Sequence, residues 1–303
     1  MKRLLRLTAL ALGLTLLLSA CGHKNTEPER KDAATQTVPV EGITGLTLCD
    51  GDVTLRFEKD EAGNWIWHDD PTFPLEQSAM DELLALPAAL DGGETVTDGQ
   101  ELSVYGLETP AKYITVTADG EEATYYVGEE TTDGRWYVLT PDNRVLYASA
   151  ESKALLSRSI YDMAVLPQLP VIAPEQVVSV TILTPERTVA FLTDEDGVRR
   201  SANRDVTAQT AALVEELGAL TVTACVDYDP AEGAAAVCGL DEPALTLAMN
   251  YLSDTGADKA LTLAVGLSTG DGGRYVTLDG ETTIYRMEEA SLAQLLTVAE
   301  TGL

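Results

Sequence analysis

The sequence is poor in the side chains that most enzymes rely on. Among 303 residues there are two histidines, four cysteines, three tryptophans and three phenylalanines. His23 stands near the N-terminus, which leaves His68 as the one histidine for the folded part. Histidine is the usual base of nucleophilic hydrolases, so its scarcity argues against that class. There is no CxxC pair and no Cys/His spacing suited to a tetrahedral metal site, so no metal and no cofactor is expected. Basic residues are scarce too: 20 Lys and Arg face 49 Asp and Glu, a net charge of −29. That balance opposes binding to nucleic acid or anionic lipid through charge. The acids are interspersed with apolar residues rather than gathered in blocks, as on a solvated face. Hydrophobic residues make up 45%, ordinary for a globular chain and too many for a disordered one.

One apolar run stands out, at the N-terminus. Lys2, Arg3 and Arg6 precede an apolar stretch from Leu7 to Leu18, and Ser19 and Ala20 lead to Cys21. A positive start, a short apolar core and small residues at its end make a secretory signal. The run is shorter than the roughly 20 apolar residues that a spanning helix needs. Its end, Leu18-Ser19-Ala20-Cys21, resembles the lipobox of bacterial lipoprotein signals. The resemblance implies a signal peptide over residues 1–20, cleaved before Cys21, with diacylglycerol on the Cys21 thiol and an acyl chain on the freed amine. The protein is then expected on the extracytoplasmic face of a cell membrane, held by lipid at Cys21. Two or more chains anchor stably where one does not. Loss of the signal removes three basic residues and no acid, so the lipid has to supply what charge cannot.

Residues 21–38 are polar and read as a flexible tether. Three cysteines come after it, Cys49, Cys225 and Cys238, an odd number for an oxidising compartment. Cys49 ends the apolar segment LTLC and reads as a small buried hydrophobe. Cys225 and Cys238 can close a short loop as a disulfide or remain thiols; geometry decides, and spacing does not report it.

The folded part reads as an internal repeat. Glu41–Leu48 lines up with Glu175–Ile182, and the turn Asp60-Glu61-Ala62-Gly63 with Asp194-Glu195-Asp196-Gly197. Met80, Leu83 and Leu86 match Val214, Leu217 and Leu220. Gly106-Leu107-x-x-Pro110 matches Gly239-Leu240-x-x-Pro243. Gly128, Tyr137 and Tyr147 match Gly266, Tyr275 and Tyr285. Matches in one order along the chain divide it into a first unit, 39–170, and a second, 171–303, each of ordinary domain size. The proline-rich Leu166–Pro170 joins them.

Each unit reads as strands, helix, strands, helix. Val53, Leu55 and Phe57 alternate with Thr54 and Arg56, the period of a half-buried strand. Leu75, Ala79, Met80, Leu83, Leu84 and Leu86 fall near helical spacing. The counterpart helix is expected from about Val206 to Leu220, capped by Asp205 or Thr207. Final helices carry Leu155, Leu156 and Ile160 in the first unit and Leu292, Leu295 and Leu296 in the second. Strands joined by short turns make antiparallel meanders, so the fold class is α+β: two duplicated units, each a meander with two helices.

The Tyr105-Gly-Leu-x-x-Pro110 motif, its echo from Cys238 to Pro243, and the downstream Gly…Tyr-Val…Tyr pattern resemble the bacterial DUF4340 family, over most of residues 40–300. Cys238 departs from the tyrosine found in the first copy. The resemblance implies an extracytoplasmic, membrane-attached protein associated with ABC-type export systems. It brings no catalytic residues, since the family's function is unknown.

Several patterns invite chemistry. Gly266-Leu-Ser268-Thr-Gly270 has the form of a nucleophile elbow, which requires a strand-to-helix turn and a later histidine; no histidine comes after it. Asp194-Glu-Asp196-Gly197 resembles the start of a calcium loop but lacks the closing glutamate. Asp227 and Asp229 flank Tyr228 and can bind a cation or form a solvated strand end. His68 adjoins Asp69 and Asp70, an arrangement typical of a surface hydrogen bond. Trp65 and Trp67 share one strand face, as a sugar-stacking platform requires, although aromatics at that period also pack in cores. Two functions are expected on these grounds. One is a non-catalytic accessory or scaffold of a membrane complex, with an ABC transporter or other envelope protein as partner. The alternative is a lipoprotein that binds glycan or cell-wall polymer in an inter-unit cleft or on the Trp65/Trp67 face.

Overall fold

The computed structural model describes residues 42–303; the expected signal peptide, the tether and Cys21 lie outside them. The first half contains β1 (Ile43–Cys49), β2 (Thr54–Lys59), β3 (Trp65–Trp67), α1 (Gln77–Asp91), β4 (Glu94–Thr95), β5 (Lys112–Ala118), β6 (Glu121–Glu130), β7 (Trp136–Leu139), β8 (Val145–Ala148) and α2 (Ala150–Leu156). The second contains β9 (Val177–Leu183), β10 (Thr188–Thr193), β11 (Arg199–Ser201), β12 (Arg204–Asp205), α3 (Ala211–Leu217), β13 (Ala224–Asp227), α4 (Ala234–Val237), β14 (Leu245–Leu252), β15 (Asp258–Ser268), β16 (Gly273–Leu278), β17 (Ile284–Glu288) and α5 (Ala293–Thr301). The class is α+β, with mostly antiparallel sheets and a few helices.

The described residues form two sheets. The first runs β3-β2-β1-β5-β6-β7-β8-β4 and the second β12-β11-β10-β9-β14-β15-β16-β17-β13. All pairings within them are antiparallel. Apart from β12, the two orders are the same. A three-strand meander sits beside a four-strand meander, and the short strand after the helix closes the far edge.

Local chemistry accounts for the turns. Asp60 accepts backbone N–H groups from Ala62 and Asn64, and Gly63 takes φ +88. Asp194 does the same for Asp196 and Val198, with Gly197 at φ +77. These bonds favour the ionised form, and they are the first cause of the lowered pKa of Asp60. For Asp194 the first cause is its ion pair with Arg200, at 2.7 Å.

α1 begins with Glu76 accepting the Ser78 N–H and continues through Pro87 to Asp91, beyond the expected end. An internal proline costs about 3 kcal/mol; here burial of Leu83, Leu86 and Leu90 along the same helix offsets it. α2 ends at Leu156, short of Ile160. The expected helix from Val206 to Leu220 shrinks to α3. Thr207 Oγ1 accepts the Arg199 N–H and Asp205 accepts the Thr207 N–H, so both candidate caps serve a turn that ties down the edge strand. In turn, Glu216 of α3 accepts the Gln294 and Leu295 N–H groups, each at 2.8 Å, and so caps α5.

Strand alternation sends Leu46, Leu55, Phe57, Ile114, Val116, Tyr125 and Val138 to the face covered by α1 and α2, and Val180, Phe191, Leu247, Leu263 and Val276 to the face covered by α3 and α5. The buried residues of the two halves form one continuous cluster. The join is aromatic: Phe73 packs on Trp67, Tyr161 and Tyr228 with ring centroids 5.6, 6.4 and 5.3 Å apart. Tyr161 Oη donates to Asp227 at 3.2 Å, and Tyr228 Oη to the Thr72 carbonyl at 3.3 Å.

The Gly-Leu motif occupies the opposite face of each sheet. Gly106 (φ +69) and Gly239 (φ +68) reverse the chain after a short helical turn. Leu107 then packs with Tyr105 and Leu139 in a second, small cluster. The strand beneath carries Gly128 or Gly266. A Cβ on Gly128 would collide with the Tyr105 carbonyl, and one on Gly266 with the Cys238 carbonyl. Register also corrects one sequence match. Tyr147 stands opposite Tyr137, but it is Arg286 that stands opposite Tyr275, while Tyr285 faces Val276. By this register the β16–β17 connection is one residue longer than β7–β8, which turns Tyr285 into the core and leaves Tyr147 outside.

Gly128→Ala and Gly266→Ala are each expected to lower unfolding free energy by about 1–3 kcal/mol through overpacking. The measurement is the denaturant midpoint. Gly197→Ala meets no atom within 4 Å, so its cost, about 1 kcal/mol, is expected from the positive φ of +77 alone and not from collision.

Candidate functional site

The tryptophan pair is not a platform. Trp65 is 6% exposed. Register places Trp67 opposite Phe57 and Trp65 opposite Lys59, on the helix-covered face. Gln77 at the start of α1 clamps the strand: its Oε1 accepts the Trp65 N–H and its Nε2 donates to the Trp65 carbonyl, both at 3.0 Å. Lys59 Nζ lies 5.1 Å from the Trp65 ring. Trp67 packs edge-on against Phe73 at the junction, and its buried Nε1 has no hydrogen-bond partner among the described residues. Trp65 is buried and Trp67 half-buried against Phe73, so both rings serve packing.

Cys225 and Cys238 are not joined; with Cys49 they are free thiols. Cys225 pairs with Tyr285, which faces Val276, so it lies on the core face. The Cys238 carbonyl meets Gly266 on the other face. The sheet stands between the two, which excludes the short Cβ–Cβ approach a disulfide needs. Burial, and then Asp227, push the Cys225 thiol up to about 11. Burial raises Cys238 as well. Cys49 is buried and donates to the Ala111 carbonyl, the structural part expected of it.

The remaining patterns resolve into structure. Ser268 ends β15 and the chain turns straight back into β16, so the Gly-x-Ser-x-Gly segment is a hairpin and not a strand-to-helix elbow. Asp194 is engaged by its own turn and by Arg200. Asp227 accepts from Tyr161 at the junction. Asp69 pairs with Arg56 at 3.9 Å, Asp70 caps the Thr72 turn, and His68 Nδ1 lies 3.1 Å from Glu58 Oε1. Among the described residues no group of three or more His, Cys, Asp or Glu side chains could hold a metal, and no helix is long and apolar enough to cross a membrane.

What sequence reading missed is a set of tyrosines on the outer face of the first sheet. Tyr105, Tyr137 and Tyr147 stack in a row with centroids 4.8 and 5.4 Å apart, and the Arg135 guanidinium caps Tyr147 at 3.9 Å. Tyr105 Oη donates to Asp98. Tyr113 and Tyr126 stand opposite each other on β5 and β6, at 6.4 Å. The signal was period-two alternation with the buried residues Ile114, Tyr125 and Val127, which assigns Tyr113 and Tyr126 to the exposed side.

Burial holds Tyr125, Tyr161 and Tyr285 above the ordinary phenol value, as it does the Cys225 thiol above its own. Each is an acid whose pKa is higher folded than unfolded. Above the unfolded thiol value of about 9, the unfolded state therefore binds fewer protons, and stability falls as pH rises. Denaturant midpoints measured at stepped pH are expected to drop between pH 9 and about 11. Alkylation of the unreduced, denatured protein should modify both Cys225 and Cys238, read by peptide mass.

No curated protein and no solved structure matches the chain. The family model for a domain of unknown function, DUF4340, matches it over residues 65–234 and again over 207–301. Those spans take in most of both sheets, both Gly-Leu motifs and the aromatic junction, and the chain belongs to the DUF4340 family.

Proposed function

We propose that this protein is a lipid-anchored, non-catalytic envelope protein that serves as an accessory or scaffold of a membrane complex, of the ABC-transport kind the family resemblance implies. The supporting observation is the join between the halves. Two sheets of the same strand order share one continuous core through Phe73, Trp67, Tyr161 and Tyr228. A body of that kind presents two related surfaces in a fixed relation, which suits holding partners more than turning over a substrate. The side chains that looked reactive in the sequence are used in turns, caps and packing, which favours the same reading.

In this reading the two units arose by duplication. Equal strand order, the paired Gly106/Gly128 and Gly239/Gly266 contacts and the double family match support it. Attachment falls to the lipobox at Cys21. The acidic body has no charge-based affinity for an anionic membrane.

Cell fractionation after mild cross-linking tests the proposal. Wild-type protein is expected in the membrane fraction, cross-linked to an integral membrane protein. Cys21→Ser should release it to the soluble extracytoplasmic fraction. Recovery without any membrane-protein partner would count against the scaffold role. Full retention of Cys21→Ser in membranes would remove the lipid anchor from the account.

A further inference from the structure

The outer face of the first sheet is only half covered. The Gly-Leu segment lies over its β7–β8 end, where Leu107 and Tyr105 pack on Leu139. The face of β2, β1, β5 and β6 stays open. Across it, register sets Thr47, Thr115 and Thr124 side by side on three adjacent strands, with the Thr115 and Thr124 hydroxyls 2.8 Å apart. In the next row stands Gly45, between Glu58 and Thr117. Because Gly45 has no side chain, a depression of about 300 Å³ opens there, walled by Thr47, Thr117, Arg56, Glu58 and His68. On the far side lie Tyr113 and Tyr126, the latter 39% exposed.

The second sheet is an internal control. It has the same strand order, so each position has an equivalent by register. Ala190 stands for Arg56, Leu192 for Glu58, Ser179 for Gly45, Ala248 for Thr115, Thr246 for Tyr113 and Ala264 for Tyr126. That face is built without a ring, a charge or a glycine at these positions. The fold therefore does not require them, and their presence in the first sheet calls for another reason.

We propose that this open face binds an uncharged glycan chain, laid across the strands from the Gly45 depression to Tyr126. The chemistry matches. Arg56 donates and Glu58 accepts, as adjacent sugar hydroxyls require. Threonine hydroxyls do both. A half-exposed tyrosine ring offers a flat apolar surface to the C–H face of a sugar, with a polar tip at the water boundary. The charges decide against a charged polymer. Arg56 faces Asp69 and His68 faces Glu58, so the face carries no surplus positive charge, while the whole chain is strongly acidic. A polyanion is repelled; an uncharged chain is not. From β2 to β6 are three inter-strand steps, about 14 Å, which is room for a short oligosaccharide. It replaces the Trp65/Trp67 surface as the exposed aromatic element.

The test is saturable binding by the full-length protein in mild detergent, with N-acetylglucosamine oligomers and glucose oligomers as probes and polyglutamate as the anionic control. Binding of at least one neutral oligomer is expected, with no competition from polyglutamate. Tyr126→Ala and Arg56→Ala should each weaken it about tenfold, the scale of one lost aromatic or charge-assisted contact. Tyr126→Phe should keep it, and Asn250→Ala on the second sheet should leave it unchanged. Thermal midpoints near wild type show that the variants are folded. Absence of saturable binding to both neutral probes, equal affinity in Tyr126→Ala and Arg56→Ala to that of wild type, or full competition by polyglutamate overturns the proposal.

Discussion

Much of this molecule depends on a close approach of backbone to backbone. In each half a short helical turn ends at a glycine in the left-handed region, and its last carbonyl presses against a glycine on the strand below. Neither strand glycine tolerates a Cβ there. The contact lets Leu107 reach the outer face of the first sheet and Leu240 that of the second, and it starts the return strand at a set height. It also limits what is covered. The turn reaches only one end of the sheet, so the outer faces of the remaining strands stay in water, and those strands must be amphipathic for that reason.

The helix-covered faces are joined by a different device. Phe73 precedes α1 in the first half and touches Tyr228 of the second. The segment after Ile160 returns along the same place, where the Glu76 N–H bonds the Met163 carbonyl and the Val165 N–H the Pro74 carbonyl. Buried aromatics bring large apolar area with a polar tip, and here Tyr161 and Tyr228 direct those tips to Asp227 and the Thr72 carbonyl. The two sheets thereby share a core instead of hanging on a linker. The many carboxylates have a quieter part. Asp60, Asp194 and Glu216 satisfy turn and helix N–H groups, so part of the negative charge is used in building the fold.

The class, the repeated pattern and most elements were legible because they rest on short-range physics. Alternation in β2, the Asp-x-x-Gly hairpins and the Gly-Leu motif depend on neighbours within a few residues. The misreadings share a cause. Trp65 and Trp67 do lie on one face of a strand, but period two does not say which face meets the core; α1 and Gln77 decided that. Asp205 and Thr207 have the chemistry of helix caps, yet the edge strand at Arg199 took their hydrogen bonds. One extra residue in a hairpin turned Tyr285 inward while Tyr147 stayed outside, a shift that alignment by residue type concealed. Ser268 fits a motif that acts only where a strand gives way to a helix, and here the strand turns back into a hairpin.

By itself the sequence determined the acidic character of the body, the twice-repeated order of residue motifs and the α+β class. Each of these is a property of composition or of local spacing. Only the tertiary structure decided which aromatics are buried, that the sheet parts Cys225 from Cys238, and that the first sheet exposes tyrosines, threonines and an Arg56/Glu58 pair where the second has alanine, threonine and leucine. Faces of a sheet are assigned by what packs against them, and that partner comes from far along the chain. No local pattern carries that information, so which side of each sheet is left to water became visible only once both sheets had found their helices.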